Sequence, residues 1–233
     1  MFYLIHKTNR IENILRDGYL KSGKVIIDEL NDKENFGDYE YGDYEYLEYI
    51  FTTLVKEEDI KKYVQLWGYD GNSLLFNPSL LLTRSFTLNF FWKGRPDGIT
   101  YDGKNLNEKE LMDILKHYYK QNKKNVNYYK SDLSNVYGEI LFENQINVKK
   151  YLLKIYIYDL YDYYSNNDDK IYNMKKRKLI KIVDIVRKNY ENVDVVLFTP
   201  IEFNKQVENV ASNRKILKDR DYFLREMSLL KNL

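Results

Sequence analysis

The chain has 233 residues, of which 44% are hydrophobic and 31% charged, and its formal net charge is +2. Acidic and basic residues nearly balance, so the composition gives no overall attraction to nucleic acid. The absence of cysteine excludes disulfides, thiolate catalysis and cysteine-based zinc sites, and two histidines argue against a histidine-rich metal centre.

No apolar run is long enough for a membrane helix or a secretory signal. We therefore expect a soluble, intracellular and most simply cytoplasmic protein with no membrane partner. Tyr, Asn, Lys and Ile are abundant and Ala211 is the only alanine, a composition that indicates an AT-rich genome. The 24 tyrosines then reflect codon usage rather than a base-stacking surface.

The amino terminus predicts a strand followed by a short helix. Residues 2–5 form the strand, and Thr8 or Asn9 can cap a helix over residues 10–16 that Gly18 ends.

The next stretch, residues 23–46, is acidic and carries an imperfect duplication of GDYEY. Because its charge disfavours burial, we predict a solvated loop or an edge hairpin, with a site for a basic partner as the alternative. Residues 49–54 then read as a strand and residues 56–67 as an amphipathic helix.

The central part of the chain predicts short β elements and one helix. Turn-forming residues break the apolar runs, and the Gly and Asp residues between positions 94 and 103 indicate a loop. The predicted strands span residues 73–76, 80–83 and 86–92, and the predicted helix spans residues 107–121, before a polar stretch at 122–135 that we expect to be mobile.

After residue 157 the composition of the sequence changes. We predict a main domain of residues 1–160 and an α/β extension of residues 161–233 packed on it. The extension is predicted to contain a basic helix over residues 174–190, a strand over 193–198 and a helix over 213–230. Burial is expected for its apolar side chains Ile180, Val183, Ile185, Val186, Val195, Val196 and Leu197.

The basic helix is the best local surface for an anionic partner. A nucleic acid would bind it through salt-sensitive phosphate contacts, and a solvated face opposite an apolar stripe is the alternative. Its cations are Lys175, Lys176, Arg177, Lys178, Lys181, Arg187 and Lys188, with Asp184 as the only acid among them.

The segment YGEILFENQINVKKYLLKIYI, residues 137–157, places Glu139 at the head of an apolar strand. A second strand follows after a polar turn at Asn144 and Gln145. A carboxylate beside a buried strand costs desolvation free energy unless a partner offsets it, so Glu139 is a functional-site candidate. A carboxylate that faces water at a strand end is the alternative.

This segment resembles the last catalytic strand of the poly(ADP-ribose) polymerase-like ADP-ribosyltransferases, in which a glutamate opens an apolar strand. In that family a short turn with Gln or Asn and a Tyr-Leu-Leu-Lys strand follow. The matching positions here are Glu139, Ile140, Gln145, Val148, Tyr151, Leu152, Leu153 and Lys154. The resemblance implies an α+β fold with split, mainly antiparallel β-sheets flanked by helices, and the tail adds a helical carboxy-terminal extension.

The amino terminus resembles the first motif of the same superfamily, a strand that ends in His-Gly-Ser/Thr before a helix with Ile-Leu. Here the strand ends in His6, Lys7 and Thr8. The resemblance implies that His6 binds a ribose hydroxyl of NAD and that the backbone beside it pairs with the nicotinamide amide. Lys7 replaces the family's glycine, and the helix follows at a shorter spacing. A helix-capping or core histidine is the alternative for His6.

A third family element is a Tyr-Phe strand near a tyrosine that stacks on nicotinamide. The nearest residues here are Tyr49, Phe51 and Thr52, followed by Tyr63. Their order and spacing differ from those of the family, so either Tyr49 or Tyr63 is a candidate for stacking on the nicotinamide ring.

Together these resemblances imply NAD-dependent ADP-ribosyl transfer without a metal. NAD would lie as a substrate between two small sheets, with Glu139 stabilising the positive charge that develops on the ribose as nicotinamide leaves. DNA-targeting, toxin-like transferases share similar motifs. The acceptor is therefore expected to be a protein or a nucleic acid, with the basic helix as a candidate contact for a nucleic acid.

The main alternative is a catalytically inactive transferase-like fold that binds a nucleotide or a protein, which Lys7 and the imperfect tyrosine motif favour. The superfamily branch that uses a Glu-x-Glu pair is disfavoured, because Gly138 precedes Glu139 and Leu141 takes the next alternate position. A phosphodiesterase with paired His-x-Thr motifs is also disfavoured, because the second histidine, His117, lacks the threonine.

Overall fold

The computed structural model describes residues 1–8, 10–30, 47–66, 72–89, 98–126, 139–158 and 169–198. Within these ranges the chain has a mixed α/β fold, in which a mainly antiparallel sheet is flanked by helices, and this confirms the predicted fold class. No helix in these ranges is long and apolar enough to cross a membrane.

The described strands form two sheets. The larger sheet has the order β10-β9-β4-β1-β3-β7-β5-β6 and is antiparallel except for the β9–β10 pair, and β2 and β8 form a two-stranded antiparallel sheet. The strands are β1 (Phe2–Thr8), β2 (Tyr19–Lys21), β3 (Tyr49–Lys56), β4 (Asn72–Phe76), β5 (Ser85–Asn89), β6 (Ile99–Asp102), β7 (Glu139–Glu143), β8 (Gln145–Asn147), β9 (Leu152–Tyr158) and β10 (Asp194–Phe198).

Helices connect these strands. The α-helices are α1 (Ile11–Asp17), α2 (Gly23–Leu30), α3 (Ile60–Leu66), α4 (Glu108–Val126), α5 (Val148–Tyr151) and α6 (Asp169–Asn189). Gly18 ends α1 as predicted, in a left-handed conformation with φ 75°. Asn9 lies outside the described residues, and the Thr8 hydroxyl accepts a hydrogen bond from the Arg10 amide at 3.0 Å, just before α1 begins.

The larger sheet separates two cores, because side chains alternate between the faces along each strand. Phe2 and Leu4 belong to a large core that also contains residues of α1, α4 and α6, and we call their side the large-core face. Ile5 belongs to a small core on the other side, which we call the small-core face. The small core consists of Ile5, Val55, Ile60, Tyr63, Val64 and Leu75, so α3 covers this face.

Two predictions give the wrong type of secondary structure. Gly23–Leu30 is a helix rather than a loop, and the Ser22 hydroxyl caps it by accepting a hydrogen bond from the Val25 amide at 3.4 Å. Pro78–Thr83 is a 3-10 helix rather than a strand, because Pro78 begins it and the Asn77 side chain accepts from the Ser79 amide at 2.9 Å.

Further predictions are wrong in extent. Ile99–Asp102 is strand β6 rather than loop, since it pairs with β5, and residues 122–126 continue helix α4. The predicted structure for residues 31–46, 67–71, 90–97, 127–138, 159–168 and 199–233 lies outside the described residues, and this includes the GDYEY duplication and the terminal helix.

The described part of the predicted extension is continuous with the rest of the fold. Its strand β10 pairs in parallel with β9, and the Tyr190 hydroxyl donates a 2.7 Å hydrogen bond to the Leu15 carbonyl of α1. Val183 and Val186 are buried as expected, whereas Ile180 is 37% exposed on the outer face of α6. The domain boundary near residue 160 stays a prediction.

Candidate functional site

The strand register places Glu139 in a row that crosses four strands. Ile5 of β1 pairs with Thr53 of β3, Thr53 pairs with Glu139 of β7, and Glu139 pairs with Asn89 of β5. Directly paired residues project to the same side of a sheet, so Glu139 and Asn89 lie on the small-core face.

The carboxylate of Glu139 is half-buried and has a neutral partner. The Asn89 side-chain amide donates to Glu139 Oε2 through Nδ2 at 3.4 Å. Burial raises the pKa of the Glu139 carboxyl above its usual range, and the hydrogen bond from Asn89 opposes that rise. No Lys, Arg or His of the described residues forms an ion pair with Glu139. The charge of Glu139 is therefore uncompensated within the described part of the chain.

Asn89 is a residue of this site that the sequence pattern does not single out. It is 5% exposed, and its Oδ1 atom has no hydrogen-bond partner among the described residues. Asn89 and Glu139 are 50 positions apart, so only the strand register brings them together. The available signal in the sequence is a carboxamide within the apolar run of residues 86–92.

A tyrosine from the opposite side of the sheet holds the backbone beneath this pair. Tyr118 of α4 is completely buried in the large core. Its hydroxyl oxygen is 2.7 Å from the carbonyl oxygen of Asn89 and 2.7 Å from that of Glu139. Because both carbonyls accept, they share the single hydroxyl hydrogen, and the hydroxyl ties the ends of β5 and β7 together.

The imidazole of His6 is fixed by the strand next to its own. His6 Nδ1 is 2.7 Å from the carbonyl oxygen of Phe51 on β3, and a carbonyl only accepts, so Nδ1 carries the hydrogen. Burial lowers the pKa of His6, and the hydrogen bond to Phe51 opposes this. The neutral ring therefore leaves Nε2 as a hydrogen-bond acceptor.

His6 and Glu139 project from opposite faces of the larger sheet. Ile5 shares the face of Glu139, so His6, the next residue, alternates to the large-core face. The ring nevertheless reaches towards β3, the strand between β1 and β7. Two strand spacings put the Cα atoms of His6 and Glu139 about 10 Å apart. A ligand that contacts both side chains would have to lie across the end of the β1–β3 pairing.

Tyr63, one of the two tyrosines predicted to stack on nicotinamide, is part of the small core. Its ring is 7% exposed, and its hydroxyl donates to Thr53 Oγ1 at 2.8 Å. Lys7, on the same face as Glu139, places its Nζ atom 5.0 Å from the centre of the Tyr63 ring. Stacking would require displacement of Lys7, whereas the other candidate, Tyr49, is half-buried at the start of β3.

The remaining predicted binding residues have structural contacts. Thr52 is 1% exposed, and its hydroxyl donates to the Ile140 carbonyl at 2.9 Å, which joins β3 to β7. The hydroxyl of Thr8 accepts from the Arg10 amide. Phe51 is half-buried and pairs with Leu141 on the small-core face.

No family model matches the chain. No curated protein matches it either. Among solved structures the chain is similar to Thermosipho africanus DarTG in complex with ADP-ribose, with a TM-score of 0.42 and 11% identity. The similarity covers 84% of this chain and 49% of that chain, so the present chain spans about half the length of that protein.

The basic helix lies on the other side of the sheet from Glu139. Helix α6 packs into the large core through Leu179, Ile182, Val183, Val186 and the adjoining Tyr190. Its exposed cations in the described part include Arg177, Lys178 and Lys181, and the side chains of Lys175 and Lys176 lie outside it. The described ranges contain no group of three or more His, Cys, Asp or Glu side chains arranged to hold a metal ion.

Proposed function

We propose that this protein is an NAD-dependent ADP-ribosyltransferase in which Glu139 is the catalytic carboxylate. The observation that carries the proposal is the half-buried carboxylate of Glu139, which has no cationic partner in the described ranges and accepts from the neutral amide of Asn89. The resemblance of residues 137–157 to a catalytic strand of the ADP-ribosyltransferases supports the choice of reaction.

The charge of Glu139 fits the transition state of this reaction. The bond between ribose C1′ and the nicotinamide nitrogen breaks, its electron pair leaves with nicotinamide, and positive charge develops on the ribose. An acceptor nucleophile then forms the new bond to C1′ and loses its proton. A partly desolvated carboxylate without a cationic partner stabilises the developing charge more than it stabilises the ground state.

His6 has a binding role in this proposal. Because its Nδ1 hydrogen is directed to the Phe51 carbonyl, Nε2 is the atom that accepts a hydrogen bond from a ribose hydroxyl. Burial holds the pKa of His6 below its usual range, so the ring is neutral at physiological pH and does not change charge during the reaction.

The proposal is tested by nicotinamide release and by transfer of labelled ADP-ribose. Glu139→Gln keeps the shape of the side chain but removes the charge, and we expect a fall in rate of about a hundredfold or more. Glu143→Gln is the matched control, because Glu143 lies on the same strand and the same face but is exposed. Equal rates for the two variants, or no turnover by the wild type with any protein or nucleic-acid acceptor, would contradict the proposal.

A binding module without turnover is the second candidate. The contact between Lys7 and the Tyr63 ring favours it, because that ring is not exposed for nicotinamide. Calorimetric titration with NAD distinguishes the two functions: a module binds NAD or another nucleotide without releasing nicotinamide, and Glu139→Gln leaves that affinity nearly unchanged.

The acceptor in the proposed reaction is a protein or a nucleic acid. The exposed cations of α6 are the candidate contact for a nucleic acid, although this acceptor would have to extend around the sheet to reach Glu139. If α6 contacts the nucleic acid, replacing Arg177, Lys178 and Lys181 with alanine weakens transfer to nucleic acid and reduces the salt dependence of that transfer. Unchanged transfer by this variant would exclude α6 as the contact.

A further inference from the structure

Asn89 differs from the other buried polar residues around Glu139 in its hydrogen bonding. Thr52 donates to the Ile140 carbonyl, and the hydroxyls of Thr87 and Thr100 lie 2.8 Å apart. Asn89, which ends the strand that contains Thr87, donates through Nδ2 to Glu139, and within the described part of the chain its Oδ1 atom has no partner.

This unpaired acceptor has an energetic consequence. A buried oxygen without a hydrogen bond destabilises a fold, because the hydration that it loses is not replaced, and native proteins pair the large majority of such atoms. Asn89 is buried, with 5% of its surface exposed. A ligand that donates a hydrogen bond to Oδ1 would recover this free energy on binding.

The bond to Glu139 defines which ligand group fits. Since Nδ2 is directed to the carboxylate, Oδ1 remains as a second acceptor on the side chain next to Glu139; it has less than 1 Å² of exposed surface, so a ligand reaches it only when the atoms that cover it move. Two neighbouring acceptors match a group with two neighbouring donors, and the cis-diol of a ribose is such a group. A carboxylate or phosphate would be repelled at this position.

We propose that Asn89 is a substrate-binding residue: Oδ1 accepts a hydrogen bond from one hydroxyl of a ribose cis-diol, and Nδ2 orients the Glu139 carboxylate towards the neighbouring hydroxyl. This inference rests on the proposed function, because it takes the ribose to be that of NAD. It assigns to β5 a contact that none of the predicted site residues provides.

Substitutions of Asn89 distinguish the role of its Oδ1 atom from that of its Nδ2 atom. Asn89→Leu keeps the branched shape of the side chain, with larger terminal groups, and removes both contacts. Asn89→Asp keeps an acceptor oxygen but removes the Nδ2 donor and places a second carboxylate beside Glu139, which raises the pKa of Glu139 further. Thr87→Val is the matched control, because it removes a buried hydroxyl from the same strand and the same face, where the partner is another threonine.

The experiment measures NAD affinity by calorimetry and follows the Glu139 carboxyl by carbon-13 NMR as the pH is changed. For the intact chain we expect Asn89→Leu to weaken NAD binding about tenfold and to raise the Glu139 pKa. Thr87→Val should leave both unchanged. Asn89→Asp should retain most of the affinity below the pKa of Glu139 and lose it above. If Asn89→Leu does not fold, Asn89→Asp alone decides between these outcomes.

The results also separate this inference from the proposed function. Failure of the wild type to bind NAD overturns the proposed function and the ligand contact together. Binding of NAD that neither Asn89→Leu nor Asn89→Asp alters overturns the role of Asn89 and leaves the proposed function standing. A Glu139 pKa that is the same in the wild type and in both Asn89 variants shows that Nδ2 does not orient the carboxylate.

Discussion

Replacement of Tyr118 by phenylalanine tests whether one hydroxyl supports both strands of the candidate site. The substitution keeps the ring, which is fully buried between α4 and the sheet, and removes only the oxygen atom. That oxygen lies 2.7 Å from the carbonyls of Asn89 and Glu139. We expect the variant to be less stable and also less active, since the backbone of both site residues loses its common contact.

The expected loss of stability in Tyr118→Phe follows from the two carbonyls that the hydroxyl serves. One net hydrogen bond contributes about 0.5–1.5 kcal/mol, and leaving a second buried carbonyl less well satisfied raises the total to about 1–3 kcal/mol. For a chain of this size, each kcal/mol corresponds to a fall in Tm of about 2–4 °C.

The matched control is Tyr190→Phe. Tyr190 is 6% exposed and donates to a single carbonyl, that of Leu15, at 2.7 Å. Burial raises the pKa of Tyr190 to about 12, so its hydroxyl remains a donor at neutral pH. Thermal unfolding and nicotinamide release are measured for both variants. The reasoning is refuted if Tyr118→Phe is no less stable than Tyr190→Phe, or if both retain full activity.

Two further predictions concern charge and close packing. Because burial raises the pKa of Glu139, ionisation of this residue destabilises the folded state above that pKa and has no effect below the pKa of the unfolded chain. Glu139→Gln should therefore raise Tm at about pH 8 and leave it unchanged at about pH 3.5, and a rise of equal size at both values would contradict this. Gly103→Ala should cost about 3 kcal/mol or more, because the new Cβ would lie 1.6 Å from the Leu81 carbonyl oxygen. Gly23→Ala, whose Cβ would lie 2.8 Å from the flexible Leu47 side chain, should cost much less in the same denaturant titration.

The strands that carry Glu139 and His6 could be predicted because their signals are local. Alternating or apolar residues between polar turns identify β1, β3 and β7 directly from the sequence. The secondary structure of residues 80–83 is harder to predict, because Leu-Leu-Leu-Thr fits a short strand as well as a 3-10 helix. Capping by Asn77 decides in favour of the helix, and that contact is visible only in three dimensions.

The arrangement of the candidate site could not be predicted in the same way. The sequence indicates Glu139 but not Asn89, since their proximity depends on pairing between strands separated by 50 positions. The sequence likewise does not reveal that Tyr63 belongs to the small core. An aromatic residue on an amphipathic helix fits a core position and a ligand-stacking position equally well.

The parallel pairing of β10 with β9 has a consequence for how this chain can be shortened. Residues Lys154 to Tyr158 of β9 pair with β10 on one side, and Lys154 to Tyr156 also pair with β4 on the other. A fragment that stops before Asp194 would leave one side of β9 with a row of unsatisfied backbone donors and acceptors. Such a fragment should self-associate through this bare edge, and its aggregation would mimic a loss of function although every residue around Glu139 is present.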